Sequence, residues 1–410
     1  MSSISFSKAL ISKVSRSYPT PFYLYDERGI RKSIRLLKKA FSWHPSFREY
    51  FAVKATPNPS ILKIMKSEGL GLDCSSLPEL LLAERTGFAG DMIMFSSNNT
   101  PLQEFKKAKQ LKAFINFDDI SHISMMQKAY GLPKKVALRY NPGATRTGTS
   151  IMGAPKDAKF GMTKKQILEG LMLLKKHGVT EFGLHTMIIS NELREQYFID
   201  TASMMFDLVI DVKKRLGIDI SSVNLGGGIG IPYRPRQKPF DIAKTGKATQ
   251  RLYMKALKKG AKPFALHLEC GRYITGPHGY LITKVRHFKD IYKKYVGLDA
   301  SMADLMRPGM YGAYHEITVL GKENKPRNHI YDVTGSLCEN NDKFAIDRKL
   351  PRLDYGDVVI IHDVGAHGHA MGFNYNGRLR SAEYLVSTSG KVKMIRRAEA
   401  IGDHFATLKF

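Results

Sequence analysis

From about residue 48 to 270 the chain alternates short β-branched or aromatic runs with longer amphipathic ones, and no other feature narrows its possible folds as far. The strand candidates are Glu49–Lys54, Gly71–Cys74, Met92–Phe95, Ala113–Phe117, Val136–Tyr140, Phe182–His185, Val223–Leu225 and Ala265–Glu269. Most are followed by a helical pattern, such as Leu102–Lys109, Lys164–Lys176 or Glu192–Arg215. Eight such repeats predict a (β/α)8 barrel, although a doubly wound open sheet produces the same alternation. The placement of polar residues favours the barrel. Lys54, Asp73, Ser96, Asn141, His185, Gly226–Gly228 and Glu269 all fall at strand C-terminal ends, the face on which barrel active sites are built.

After residue 275 the pattern changes to Val/Ile/Tyr runs (Tyr280–Arg286, His329–Thr334, Val358–Ile361, Val392–Arg396) separated by Gly, Pro, Asp and Asn, which reads as a mainly β domain. Near the start, Leu10, Ile11 and Val14 lie on one face of a short predicted helix, and Phe22–Tyr25 reads as a strand. A chain of 410 residues is long enough for two or three domains. A helix-free stretch, Asn141–Gly161, lies at the polar end of the barrel, where such loops form lids or site walls, or simply mobile surface.

Charge excludes less than it first suggests. Lys and Arg number 64 against 37 acids, a formal charge of +27. The cations fall as doublets on predicted helices (Lys38-Lys39, Lys175-Lys176, Lys213-Lys214), with no aromatic-interleaved stripe and no finger or RNP signature, so a nucleic-acid partner is not expected. No window approaches the roughly 18 apolar residues of a membrane span, so no membrane role is expected. Three cysteines (Cys74, Cys270, Cys338) without a CxxC pair fit the reducing cytoplasm and argue against a structural zinc site.

Three features carry chemistry. Asn224-Leu-Gly-Gly-Gly-Ile-Gly230 offers backbone N–H groups and close approach to an anion, although a tight βα turn also explains it. Glu269-Cys-Gly-Arg272 ends the eighth strand with a carboxylate and a guanidinium, where barrels commonly bind phosphate. Lys54 closes an apolar run on the same face. It either reaches solvent or, desolvated with a depressed pKa, serves as a nucleophile toward an aldehyde. A lysine, a phosphate cradle and a strand-end acid together are what pyridoxal 5'-phosphate requires.

These residues resemble a known family. Tyr50-Phe-Ala-Val-Lys-Ala55, Asp73-Cys-Ser-Ser76, the 224–230 loop, Glu269-Cys-Gly-Arg272, Gly335-Ser-Leu-Cys-Glu339 with Asp342, and Asn374-Tyr-Asn376 look like the ordered motifs of the fold-type III pyridoxal-phosphate decarboxylases, with the diaminopimelate decarboxylases nearest. The resemblance runs from Phe22 to Glu399. It implies an alanine-racemase-like fold, with a barrel over 27–274 and a β domain from 1–26 and 275–410 that contributes to a dimer interface. The implied reaction is decarboxylation of meso-2,6-diaminopimelate to L-lysine, and the alternative is decarboxylation of ornithine, arginine or another diamine precursor.

By the same resemblance Lys54 is the Schiff-base lysine and Glu269 the acid that pairs with the pyridine nitrogen. Asp73, Ser190, Gly226, Gly227, Gly228, Gly271, Arg272 and Tyr375 are implied cofactor contacts, while Arg272, Arg307, Tyr311, Glu339 and Tyr375 are implied substrate contacts. Cys338 matches a proton donor contributed by a second subunit, which implies a homodimer with shared active sites. Two departures stand out. The chain reads His185-Thr-Met-Ile-Ile-Ser190 where the family has His-x-His-Ile-Gly-Ser, so Met187 replaces a ring-stacking imidazole, and Gly365-Ala-His367 replaces Gly-Ala-Tyr. His362, His367 and His369 lie close in sequence, but pyridoxal chemistry needs no metal and none is expected.

Overall fold

The computed structural model describes residues 5–148 and 153–410. The chain divides into two compact units, one of Ser33–Ile231 with Lys238–Tyr273, the other of the segment up to Lys32 with Pro232–Gln237 and Ile274–Phe410.

The first unit is a closed barrel of eight parallel strands, Phe47–Ala52, Gly71–Cys74, Ile93–Ser96, Phe114–Phe117, Lys135–Arg139, Glu181–His185, Ile220–Asn224 and Ala265–Leu268. It closes where Phe47 pairs with Leu266. Side chains alternate across each strand, so every second residue points inward. Tyr50, Met94, Phe114 and Ala137 make one packed interior layer. The large Tyr50 ring fits because Gly71 faces it, where a Cβ would come within 2.5 Å of that ring. His267 joins the layer edge-on to Tyr50. Burial above all, with Lys135 and Arg48 adding, pushes its pKa down to about 3, so it packs as a neutral ring.

Two residues further along these strands the layer turns polar: Asp73, Ser96, Asn116, Arg139, His185, Asn224 and Glu269. The period-two pattern thus places a ring of polar side chains at the strand C-terminal ends. Returning helices complete each unit, and their ends follow ordinary capping rules. Asn58 caps Pro59–Ser67, Thr163 and Gln166 form a capping box on Lys164–Lys176, and Gly217 in the left-handed region stops the long Glu195–Leu216. The lysine doublets occupy last turns, where cations complement the helix dipole.

The second unit is a nine-stranded sheet. Phe22–Asp26 lies in its middle, antiparallel to Gly279–Asp290 and parallel to Ala382–Val386. The N-terminal strand is therefore completed only by C-terminal sequence. Ile11 and Val14 of the helix Lys8–Ser17 pack with Phe22, Leu24, Ile282, Ile360 and Tyr384.

The expected barrel with a mainly β domain is what the chain forms. Some details differ. Lys54 is not in a strand, because the first strand ends at Ala52 and Val53–Ala55 is a 3-10 turn. The loop Asn141–Gly161 contains the short 3-10 turns Gly143–Thr145 and Pro155–Asp157, while its residues 149–152 lie outside the described residues. The three histidines have separate surroundings: His362 Nε2 lies 2.8 Å from Thr318 Oγ1, His369 Nε2 lies 3.0 Å from the Ser381 carbonyl oxygen, and His367 has φ 56°. Among the described residues no group of three or more His, Cys, Asp or Glu is arranged to hold a metal ion. No helix of the described residues is long and apolar enough to cross a membrane.

Candidate active site

The polar ring centres on Glu269, just past the eighth barrel strand. Its Oε2 lies 3.1 Å from His185 Nε2, and its Oε1 accepts from Asn224 Nδ2 at 2.6 Å and from Ser96 Oγ at 3.5 Å. Burial alone would favour the neutral acid, but His185, Lys54 and Arg139 outweigh it and hold the Glu269 carboxyl below the usual range. Asp73 behaves oppositely. Burial, reinforced by the negative charge of Glu269, pushes its carboxyl well up, and its Oδ1 has no hydrogen-bond partner among the described residues. The two buried carboxyls are thus shifted in opposite directions, Glu269 down and Asp73 up.

Lys54 Nζ lies 3.6 Å from Asp73 Oδ2, on a side chain that is half exposed. Burial works against its ammonium, yet Asp73, Glu269 and Glu79 together raise its pKa above the ordinary lysine value. The expectation of a depressed Lys54 pKa is therefore corrected. Sequence showed an apolar strand before Lys54 but not the three carboxylates that other segments bring to it.

Beside this ring runs the glycine loop. Gly226 and Gly228 have φ of 71° and 88°. A Cβ on Gly226, Gly227 or Gly228 would fall 2.2, 2.2 and 2.5 Å from the carbonyl oxygens of Thr186, Glu269 and Ile189. The loop is thus threaded between backbone segments with no room for side chains, Gly226 and Gly227 being buried and Gly228 half-buried. Glu269 N–H donates to the Gly226 carbonyl at 2.9 Å, so the cradle and the acid are fixed to each other. Met187 lies over the same loop, its Sδ 3.2 Å from the Gly227 nitrogen. Ser190 is half-buried next to Ile189 in the adjoining loop. Gly271 packs where a Cβ would meet Ala55 at 2.6 Å, and Arg272 is buried at the start of the short helix Arg272–Thr275.

An anion beside a half-exposed amine, with a side-chain-free peptide cradle at the same strand ends, is a donor set that fits pyridoxal 5'-phosphate. Lys54 presents the amine, Glu269 the acid for a ring nitrogen, and residues 226–228 a side-chain-free stretch of backbone that a phosphate could approach.

The remaining residues lie in the sheet unit. Cys338 is exposed, and its N–H donates to Asn376 Oδ1 at 2.7 Å, which ties it to the turn carrying Tyr375. Its loop wraps around Asp342, whose carboxylate accepts from the Leu337 and Met302 N–H groups at 2.8 and 2.6 Å. Glu339 and Tyr375 are exposed. Arg307 and Tyr311 occupy opposite ends of the short helix Arg307–Tyr311, where Arg307 is 3% exposed and Tyr311 42%. The Arg307 guanidinium stands 4.7 Å over the Tyr233 ring and donates from Nη1 to His315 Nε2 at 2.9 Å.

Sequence reasoning assigned no role to Arg139, Asn224, Glu49, Tyr233 or His315. Arg139 pairs with Asp118 at 2.9 Å and donates to the Met187 carbonyl. Glu49, buried, accepts the Cys270 N–H at 2.5 Å, and burial pushes its carboxyl well up. The strand-end positions of Arg139 and Asn224 were a usable signal, whereas the contacts of Glu49 and His315 follow from tertiary packing alone.

A family model described as "Pyridoxal-dependent decarboxylase, pyridoxal binding domain" matches residues 27–276. Protein TabA of Pseudomonas amygdali pv. tabaci is 43% identical over 98% of this chain and 94% of its own length. The diaminopimelate decarboxylase of Methanothermobacter thermautotrophicus is 34% identical over 95% of this chain and 92% of its own. Among solved structures, the diaminopimelate decarboxylase of M. jannaschii in co-complex with L-lysine superposes with a TM-score of 0.90 at 31% identity, covering 98% of this chain and 94% of that one.

Proposed function

The chain belongs to the pyridoxal-dependent decarboxylases of fold type III, in the group of the diaminopimelate decarboxylases, and on that footing we propose that it converts meso-2,6-diaminopimelate to L-lysine and carbon dioxide. The observation that carries the proposal is the conjunction at one barrel mouth of Lys54, the anionic Glu269 and the glycine cradle.

Pyridoxal 5'-phosphate, when bound, supplies an aldehyde that condenses with amines and a conjugated ring that takes up the electron pair left when a carboxylate departs. Lys54 would hold the cofactor through its side-chain amine, which stands 3.6 Å from Asp73 Oδ2. Glu269, whose carboxyl is lowered by His185, Lys54 and Arg139, would hold a proton on the ring nitrogen of the bound cofactor. The backbone of Gly226–Gly228 receives the phosphate, with Asp73, Ser190, Gly271, Arg272 and Tyr375 as further cofactor contacts. Cys338 delivers a proton to the carbon that has lost its carboxylate.

Substrate choice rests on the end of the molecule that does not react. Diaminopimelate carries an ammonium and a carboxylate there, and Glu339 suits the first while Arg307 with Tyr311 suits the second. A pocket for a bare ammonium would avoid a cation such as Arg307. The working form is a homodimer in which Cys338 of each copy serves the other copy's site. Exposed Phe288, Ile291, Ile330 and Ile346 in the sheet unit are apolar surface suited to a second copy. Three free thiols suit a cytoplasmic location.

The test is product formation. Purified protein supplied with pyridoxal 5'-phosphate and meso-diaminopimelate should release lysine and carbon dioxide in equal amounts, and Lys54→Ala should release neither. A cofactor-loaded wild-type protein that forms no lysine overturns the proposal.

A further inference from the structure

The barrel closes along the seam between its first and eighth strands, and Lys54 and Glu269 both lie just past the end of that seam. The parallel ladder runs Phe47–Leu266, Arg48–His267 and Glu49–Leu268, and ends there. Beyond it Glu269 and Cys270 are buried, so their backbone N–H groups need partners from elsewhere. On the side of the seventh strand, Glu269 N–H meets the Gly226 carbonyl at 2.9 Å. On the side of the first strand, Cys270 N–H is met by a side chain rather than by backbone, and Glu49 Oε1 accepts it at 2.5 Å.

An acid at this position calls for an explanation. Glu49 alternates with Tyr50, whose ring belongs to the interior layer, so Glu49 points away from the barrel interior. It is 2% exposed. Burial above all pushes its carboxyl well up, the Cys270 N–H pulls it back, and Glu269 adds to the rise. An apolar side chain would fill an outward position without that desolvation cost, so the acid is explained by what it accepts. The N–H it accepts belongs to the peptide unit whose carbonyl is that of Glu269. That carbonyl oxygen lies so near the glycine loop that a Cβ on Gly227 would fall 2.2 Å from it. Because a peptide is planar, holding its N–H also fixes the direction of its C=O and the placement of the residue that carries it.

We propose that Glu49 is a positioning residue for the cofactor acid: by accepting Cys270 N–H it fixes the peptide that joins Glu269 to Cys270, and with it the aim of the Glu269 carboxyl at the cofactor ring nitrogen and the packing of that peptide on the glycine loop. The proposal rests on the reading of Glu269 given above. Facing away from the barrel interior, Glu49 acts only through the backbone. Its contribution is an acceptor at the right reach, not a charge.

Cofactor affinity and the absorbance of the bound cofactor test this without relying on turnover. Glu49→Leu leaves Cys270 N–H buried without its acceptor, and should weaken pyridoxal 5'-phosphate binding about tenfold or more and change the balance of the cofactor absorbance bands. Glu49→Gln keeps an acceptor oxygen at the same reach, and should hold affinity within a fewfold of wild type and keep the wild-type spectrum. Once saturated with cofactor, Glu49→Leu should lose kcat on meso-diaminopimelate with KM little changed. A side chain that only stabilised the fold would lower Tm and leave affinity and spectrum alone. Glu269→Gln is the control for the underlying reading and should itself weaken binding and alter the spectrum. If it does so and a folded Glu49→Leu does not, or if Glu49→Gln loses as much as Glu49→Leu, the positioning role is wrong and the Glu269 reading stands. If Glu269→Gln leaves affinity and spectrum unchanged, the Glu269 reading falls and takes the proposal with it. Should Glu49→Leu not fold, Glu49→Asp, which withdraws the acid by one methylene, takes its place: wild-type affinity and spectrum in that variant overturn the proposal.

Discussion

Asp363 sits in the left-handed region at φ 58°, 5% exposed, with Oδ2 lacking a hydrogen-bond partner among the described residues. Burial first, and Glu316 second, push its pKa from 3.8 up to about 7. Its native form therefore binds a proton that the unfolded chain has already released, and stability falls as pH rises from about 4 to 7. At roughly 1.4 kcal/mol per pKa unit the loss is on the order of a few kcal/mol. Asparagine tolerates the same backbone and cannot ionise. Asp363→Asn should thus have a higher Tm than wild type at pH 8 and a flatter Tm between pH 5 and 8. Parallel curves for the two proteins would show that Asp363 does not titrate there. Residues of this kind mark the limit of sequence reading. Lys54 and Glu269 stand out in sequence because each ends an apolar run with a charge, but whether either keeps that charge depends on neighbours tens to hundreds of positions away.

Elements were legible where one period sufficed. The eight barrel strands emerge from sequence because each is a short, largely buried run and most are followed by an amphipathic helix, and Gly71–Cys74 and Lys164–Lys176 match residue for residue. Strands of the sheet unit were harder. Ile317–Val319 has three residues, too few to show alternation. Lys343–Leu350 carries four charged residues and lies at one edge of its sheet, paired with His329–Thr334 through register shifts, so its pattern is broken. Ala382–Val386 is buried throughout, yet contains Glu383, an acid that sequence alone assigns to a surface. The structure satisfies it with the Tyr25 hydroxyl at 2.7 Å and Arg396 at 2.5 Å, from strands at opposite ends of the chain.

The whole chain carries +27, and its lysine doublets sit in the last turns of helices that run back from the strand C-terminal ends. Those doublets complement the dipoles of their helices. At this scale the shared-site dimer is the claim most in need of experiment. Lys54→Ala and Cys338→Ala should each be nearly inactive alone. Mixed under conditions of subunit exchange they should recover part of the wild-type rate, because some dimers then combine an intact Lys54 with an intact Cys338. Verified exchange without recovery would contradict shared sites.

Diaminopimelate differs from the other candidate substrates in carrying an amino-acid head at each end. One enzyme preparation, loaded with pyridoxal 5'-phosphate, should be assayed for carbon dioxide release from meso-diaminopimelate, lysine, ornithine and arginine under the same conditions. A carboxylate held by a buried guanidinium is worth several kcal/mol, so kcat/KM for meso-diaminopimelate should exceed each of the others by at least about a hundredfold. A kcat/KM that favours ornithine, lysine or arginine would contradict the account and move this chain to the diamine-forming decarboxylases.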